Sequence, residues 1–406
     1  MARSWRTPLT VLIAATVVIS LSVGIRATMG LFLRPMTLDL GWGRETFAIA
    51  IALQNLMWGV AGLFSGMLAD RFGAGRVIAL GALGYALGLV MMSLSRTPLG
   101  FTLGVGLFNG IGISACSFGV VLGAISRSVP EEKRSMALGI ASAGGSVGQF
   151  VMLPLGQAFI DVQGWSHALI SLAVFSLFMA PLAMLLTGRA ALAPGATKAR
   201  PWQAFGQALG FRQYWLMFAG FFVCGFHVAF IATHLPAYLV DNRISAGMAA
   251  TALALIGFFN ILGSFFFGAV GGRFSKKKSL AALYLARSAA ITAFVLLPIS
   301  NVTVLLFASA MGFLWLGTVP LTSGLVGQIF GAGYLSTLFG FVFLGHQIGS
   351  FLGVWLAGWV FDTTGSYASI WYASIALGVF AAVVHWPIQE NPLDLNVAPA
   401  LAQKPA

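Results

Sequence analysis

The stretch GMLADRFGAGR, residues 66–76, separates two apolar runs, and 202 positions further on GAVGGRFSKKK, residues 268–278, does the same. Each places charge and glycine between segments that carry almost none. The same shift lays Phe64 on Phe266, Gly66 on Gly268, Arg71 on Arg273, Phe72 on Phe274, Gly156 on Gly358 and Phe159 on Phe361. Matching turns at half the chain length read as a parallel repeat.

Outward from these turns, apolar runs recur near residues 11–33, 46–68, 77–94, 99–126, 136–160 and 167–187, then near 214–240, 246–271, 280–298, 301–330, 335–361 and 368–388. At about 1.5 Å per residue each is long enough to cross a bilayer as a helix. The runs are continuously apolar and do not alternate, which excludes a barrel and makes the fold all-α with twelve transmembrane helices. Composition agrees: 59% of the 406 residues are hydrophobic and 8% charged, at a mean hydropathy of +0.92. Such a chain is no soluble globule.

The organisation that follows is an N-terminal six-helix half (1–187), a linker rich in Pro, Gly and basic residues (188–212), a second half (213–390) and a flexible tail (391–406). A net charge of +12 would suggest nucleic acid in a soluble protein, but here the basic residues lie between apolar spans. Arg34, Arg44, Arg96 and Arg243 fall on one side; the other Lys and Arg outside the spans fall on the opposite side. By the positive-inside rule both termini are cytoplasmic, and the partners are lipid and a small solute, with no nucleic acid. The first span continues past any cleavage point and reads as retained. Cys116 and Cys224 each lie in an apolar span and read as packing residues.

Two arginines, Arg26 and Arg287, lie inside spans that contain no Asp or Glu. A central Arg costs about 2.5–3.5 kcal/mol on insertion scales unless it faces water or gains a partner. Arg26 precedes Arg34 by eight residues, so on one continuous helix it lies about 12 Å below the outer end. A guanidinium offers paired planar donors that fit a carboxylate, which makes a small organic anion the natural partner. Arg287 divides evenly between ligand contact and a structural role. His227 and His234 share a face of one helix two turns apart; the repeat makes His227 nearly the mate of Arg26, facing the same cavity, and His227, His234 and His346 are candidates to carry a coupling proton. Asn109, Gln149, Asn260 and Trp315 complete the candidate substrate contacts, with Gln54, Asn55, Trp58 and Gln347 as further polar or aromatic residues in the spans. The seven-residue histidine spacing suits no metal pair, and neither a metal nor a cofactor is expected.

Gly66, Asp70, Arg71, Gly73 and Arg76 resemble the loop between the second and third helices of the major facilitator superfamily; the second copy departs with Gly272 in place of Asp70. The resemblance implies that Asp70, Arg71 and Arg76 act in gating. Arg134, Ala137, Gly139, Ala141, Ala143, Gly144 and Gly148 resemble the fifth-helix pattern of the monocarboxylate transporters, and Arg26 falls where those proteins carry a functional lysine. Asn260 and Ser264 stand where mammalian-type members carry an Asp and an Arg, so proton coupling through that acid is not implied. The resemblance implies a bacterial member in the cell inner membrane, acting as a monomer. It moves an organic anion by alternating access, and proton symport is one form that movement could take. A proton-driven efflux antiporter is the alternative transport reading. Such antiporters carry a membrane carboxylate and a Gly-Pro pair in the fifth helix, where Gly148 is here followed by Gln149. A membrane sensor or enzyme would need an output domain or a reactive cluster, and the longest loop is a short linker.

Overall fold

The computed structural model describes residues 7–128, 131–186, 201–331 and 335–393. The chain runs through α1 (Pro8–Ala27), α2 (Met29–Leu40), α3 (Arg44–Phe72), α4 (Ala74–Leu94), α5 (Pro98–Phe101), a π-helical stretch (Thr102–Asn109), α6 (Gly110–Cys116), α7 (Phe118–Ser128), α8 (Glu131–Leu177) and α9 (Met179–Ala183). It continues with α10 (Pro201–Ala208), α11 (Arg212–Asp241), α12 (Ala246–Arg273), α13 (Lys276–Leu296), α14 (Asn301–Phe313), α15 (Thr318–Phe330), α16 (Leu335–Thr364) and α17 (Ala368–His385). Among the described residues there is no strand.

Eleven helical stretches among these residues are long and apolar enough to cross a membrane. One of them, Gly139–Leu186, has 48 residues. A straight helix of that length would span roughly 72 Å, more than twice the hydrocarbon core, so it cannot be a single crossing. It bends at Gly164, which sits at φ 76°, a backbone conformation open to glycine without a Cβ penalty. Counted as two, it brings the crossings to the twelve of the major facilitator fold. Apolar packing divides likewise: one buried cluster takes nearly all its members from Val11 to Leu186, the other from Ala208 to Ile388. Residues 188–200 of the expected linker and 394–406 of the tail lie outside the described residues; Pro201–Ala208 of the linker form α10.

Several expected continuous helices are broken, among them the fourth crossing at Ser117 and the sixth at Phe178, and two of the breaks bear on Arg26 and Arg287. The first crossing divides at Thr28, whose hydroxyl turns back onto the Ile25 carbonyl at 2.8 Å, so Arg26 occupies the last turn of α1. The tenth divides between Phe313 and Thr318, where Gly317 precedes the second segment.

Small residues set how closely the helices cross. A Cβ on Gly148 of α8 would overlap the Ser20 carbonyl of α1, and one on Gly24 would overlap the Gly148 carbonyl. In the second half, a Cβ on Gly225 of α11 would strike the His346 carbonyl of α16, and one on Gly349 the Phe222 carbonyl. Gly24 and Gly225, like Gly148 and Gly349, lie 201 residues apart, one less than the 202-residue shift of the turns, so the two halves repeat these helix crossings with a one-residue offset from the turn repeat. Gly148→Ala is expected to cost about 1–3 kcal/mol through overpacking. Gly62→Ala, at a site with open space around it, is expected to be neutral or mildly stabilising; thermal unfolding of the purified variants separates the two.

Candidate functional site

Arg26 points from α1 toward α3. Its Nη2 donates to Asn55 Oδ1, and its guanidinium carbon lies 4.7 Å from the centre of the Trp58 ring. Asn55 and Trp58 are three residues apart and therefore share one face of α3. The indole is pinned in turn, because its Nε1 donates to Ser117 Oγ at 3.1 Å. Tyr85 of α4 is buried beside them and donates its hydroxyl to the Ser22 carbonyl at 3.1 Å. Arg26 Nε and Asn55 Nδ2 are buried with no partner. The ion pairs among the described residues both use Asp241, so no carboxylate neutralises Arg26 there.

This cluster reaches across the two halves. Gln347 Nε2 of α16 donates to the Asn55 carbonyl at 2.9 Å, and His346 Nδ1 lies 3.0 Å from Gln347 Oε1. An amide oxygen only accepts, so His346 carries a proton on Nδ1. Phe343, one turn earlier, meets Trp58 edge-on at 5.7 Å and stacks on His346 at 5.5 Å. Arg26, Trp58 and Phe343 are all half-buried, whereas Asn55 and Gln347 are buried.

The other expected contacts lie elsewhere. Arg287, fully buried on α13, donates from Nε to the Leu314 carbonyl at 3.1 Å and from Nη2 to the carbonyls of Leu314 and Trp315. These acceptors are freed by the break between α14 and α15, so Arg287 closes a helix end. Asn260 serves the same break: its Oδ1 accepts from Leu316 N at 3.0 Å while its Nδ2 donates to Ser146 of α8 at 2.9 Å. Trp315 is buried at the break. Gln149 ties α8 to the Leu253 carbonyl of α12 at 3.3 Å, and Asn109 accepts from Gln54 at 2.9 Å.

His227 does occupy the position 201 residues beyond Arg26, but it does not face Arg26. Its ring is fully buried and its Nε2 donates to the Ser374 carbonyl of α17 at 2.8 Å, so the expected shared cavity is not formed by this pair. Cys116 and Cys224 are buried free thiols. Arg71 and Arg76 are exposed at the ends of α3 and α4; the Asp70 side chain lies outside the described residues.

A second polar cluster, unread in the sequence, closes the end of the bundle opposite the Arg71 and Arg76 turn. Arg34 and Arg44 of the first half both pair with Asp241 at the end of α11. Gly43, the residue before α3, has no side chain to cap the helix. Asp362 of α16 does so from the other half, accepting from Arg44 N at 2.9 Å and Glu45 N at 2.7 Å. Trp355 donates to Glu45 at 3.0 Å. Arg44 lies over the Phe361 ring at 3.6 Å and donates to the Tyr367 hydroxyl at 2.9 Å. His234 completes the chain, with Nδ1 3.0 Å from that hydroxyl and Nε2 2.9 Å from the Val354 carbonyl. A carbonyl can only accept, so Nε2 carries the proton and Tyr367 donates to Nδ1. Burial pushes the Tyr367 phenol up, with Arg44 offsetting part of the shift, and it stays neutral. Beside this cluster, sharing Arg34 with it, is a cleft of about 190 Å³ lined also by Gln157 and Asp161 among apolar residues.

Arg287→Met is expected to lower thermal stability, because each buried carbonyl left unmet costs about 1–3 kcal/mol. The same variant is expected to keep ligand affinity, read by titration at a temperature where it remains folded.

The family model of the Major Facilitator Superfamily matches residues 12–317. The chain is 25% identical over 374 residues to the uncharacterized MFS-type transporter YcxA of Bacillus subtilis (strain 168), covering 88% of this chain and 90% of that one. It is 27% identical over 371 residues to monocarboxylate transporter 11 of Mus musculus, covering 88% and 81%. Among solved structures, it resembles a bacterial homolog of the human lysosomal transporter Spinster in an inward-facing, unoccupied conformation, with a TM-score of 0.77 at 17% identity over 94% of this chain and 97% of that one. It also resembles a D-xylose-proton symporter, with a TM-score of 0.74 at 15% identity over 95% and 99%. Twelve crossings, paired glycine-lined helix contacts and the matched family agree: the chain belongs to the Major Facilitator Superfamily and is a transporter resembling its monocarboxylate transporter branch.

Proposed function

We propose that this protein moves a small organic anion, a monocarboxylate by class, across the cell inner membrane by alternating access, with Arg26 holding the carboxylate. One observation carries the reading. Arg26 is a half-buried guanidinium held by an uncharged amide and an indole instead of an acid, and both of those partners are in turn touched by α16 of the other half. A carboxylate at 4 Å would add on the order of 4 kcal/mol at an effective dielectric of 20, enough to compete with the Asn55 amide. Relatives named monocarboxylate transporters 11 and 12 support the substrate class.

The same contact supplies a route from binding to motion. A carboxylate taking Nη2 releases Asn55 Oδ1, and the Asn55 backbone is where Gln347 of the other half is attached. The occupied site thereby acts on a link between the halves. Of the three coupling candidates, His346 stands in this network, while His227 and His234 are each tied to other main-chain oxygens. With both termini cytoplasmic, the Asp241 and Asp362 contacts form the outer gate, and the turn containing Asp70, Arg71 and Arg76 works at the inner face.

Arg26→Gln is expected to reduce saturable carboxylate uptake into proteoliposomes at least tenfold at matched protein content, with Arg26→Lys recovering part of it. Full uptake by the glutamine variant would remove the assignment. Asp241→Asn is expected to open the outer end, raising the rate at which a cysteine placed at Leu31 reacts with an impermeant maleimide from outside. An unchanged rate would show that Asp241 does not hold the gate.

A further inference from the structure

The surroundings of Arg26 select among carboxylates. On one side its guanidinium lies against the Trp58 indole, and Trp58 in turn meets Phe343 of the other half, which stacks on His346. Three π-systems from α3 and α16 therefore run away from the Arg26 guanidinium as a continuous wall. Two features separate this wall from ordinary helix packing. The indole N–H is satisfied by Ser117, which fixes the ring plane, and Trp58 and Phe343 remain half-buried beside a cation that is also half-buried. A short aliphatic acid would meet Arg26 with its carboxylate and leave the aromatic flanks unfilled. An acid with a ring directly attached would place its charged end on the guanidinium edge and its π-face or ring edge on Trp58 and Phe343, in the offset or edge-on geometries such rings prefer.

We infer that the substrate is an aryl carboxylate, bound through its carboxylate to Arg26 and through its ring to Trp58 and Phe343. The inference rests on the carboxylate reading of Arg26 and adds the wall that reads the rest of the molecule. Because Trp58 and Phe343 belong to opposite halves, the ring would bridge them, so the group that confers selectivity also spans the interface that must rearrange.

The test is calorimetric titration of the purified full-length protein with benzoate, cyclohexanecarboxylate and acetate, on the wild type and on the Trp58→Leu, Phe343→Leu and Arg26→Gln variants. The expected result is benzoate binding about tenfold or more tighter than acetate and tighter than cyclohexanecarboxylate. The benzoate-to-acetate ratio should shrink in both aromatic variants. Thermal unfolding of each variant in the same buffer, with and without benzoate, separates loss of the wall from loss of the fold. Equal affinity for the three acids, still dependent on Arg26, would overturn the aryl inference and leave the carboxylate reading standing. A preference for benzoate that survives both aromatic variants would overturn the assignment of the wall. Binding of none of the acids would sink both readings.

Discussion

A guanidinium fixed at membrane depth without a carboxylate partner is the constraint around which the N-terminal half is arranged. Water is the cheapest solvent for that charge, and placing it between helices demands compensation. Arg26 receives partial compensation: one amide oxygen, an indole face and the carbonyl end of α1, where a cation is favoured by the helix dipole. Its Nε stays unmet. Arg287 is a useful contrast: it is more fully buried and equally without an acid, and its Nη1 is likewise unmet, but its Nε and Nη2 make three contacts to main-chain oxygens of a broken helix. Two chemically identical side chains thus divide into one bound to the main chain of a broken helix and one bound to a single side-chain amide and an indole, which is the difference the proposed anion site rests on.

The polar residues between the halves form layers with different chemistry. Nearest the Arg26 level the links are neutral amides, Asn55 to Gln347 and Asn260 to Ser146, which exchange partners without moving charge through lipid. At the sealed end the links are ionic and include a helix cap supplied across the interface by Asp362. The Arg34–Asp241 pair there is half-solvated and so can form and break at moderate cost, while Arg44 is largely buried. That arrangement suits an assembly whose centre must respond to a solute while its rim switches between closed and open.

Much of the fold was legible in the sequence because bilayer thickness dictates run length, and the runs are uninterrupted by charge. The breaks were less legible. Thr28 lies between Ala27 and Met29, and Gly30 just beyond it is one of many glycines scattered through the spans, whereas Gly317 and Pro320 together beside the tenth-helix break offered a stronger signal. The site was partly readable. Arg26 stood out by charge, and the spacing of Asn55 and Trp58 would have placed both on one face, but their facing Arg26 depends on helix rotation, which periodicity in a helix apolar all round does not fix. Rotation also explains His227: the repeat located its position, and the structure turned its ring toward α17. Asp241, Asp362 and Tyr367 sit at helix ends where charge is commonplace, so only their meeting across the halves distinguishes them.

The most direct measurement is a crystallographic anomalous difference map of the protein soaked with a bromine-substituted carboxylic acid, which places the ligand independently of any transport assay. The expected result is a bromine peak between α3 and α16, with the carboxylate within about 4 Å of the Arg26 guanidinium and Asn55 displaced from it. A fully occupied ligand in the outer cleft by Arg34, or at the Arg287 break, with the Arg26 to Asn55 bond intact, would contradict the assignment of Arg26 as the anion site.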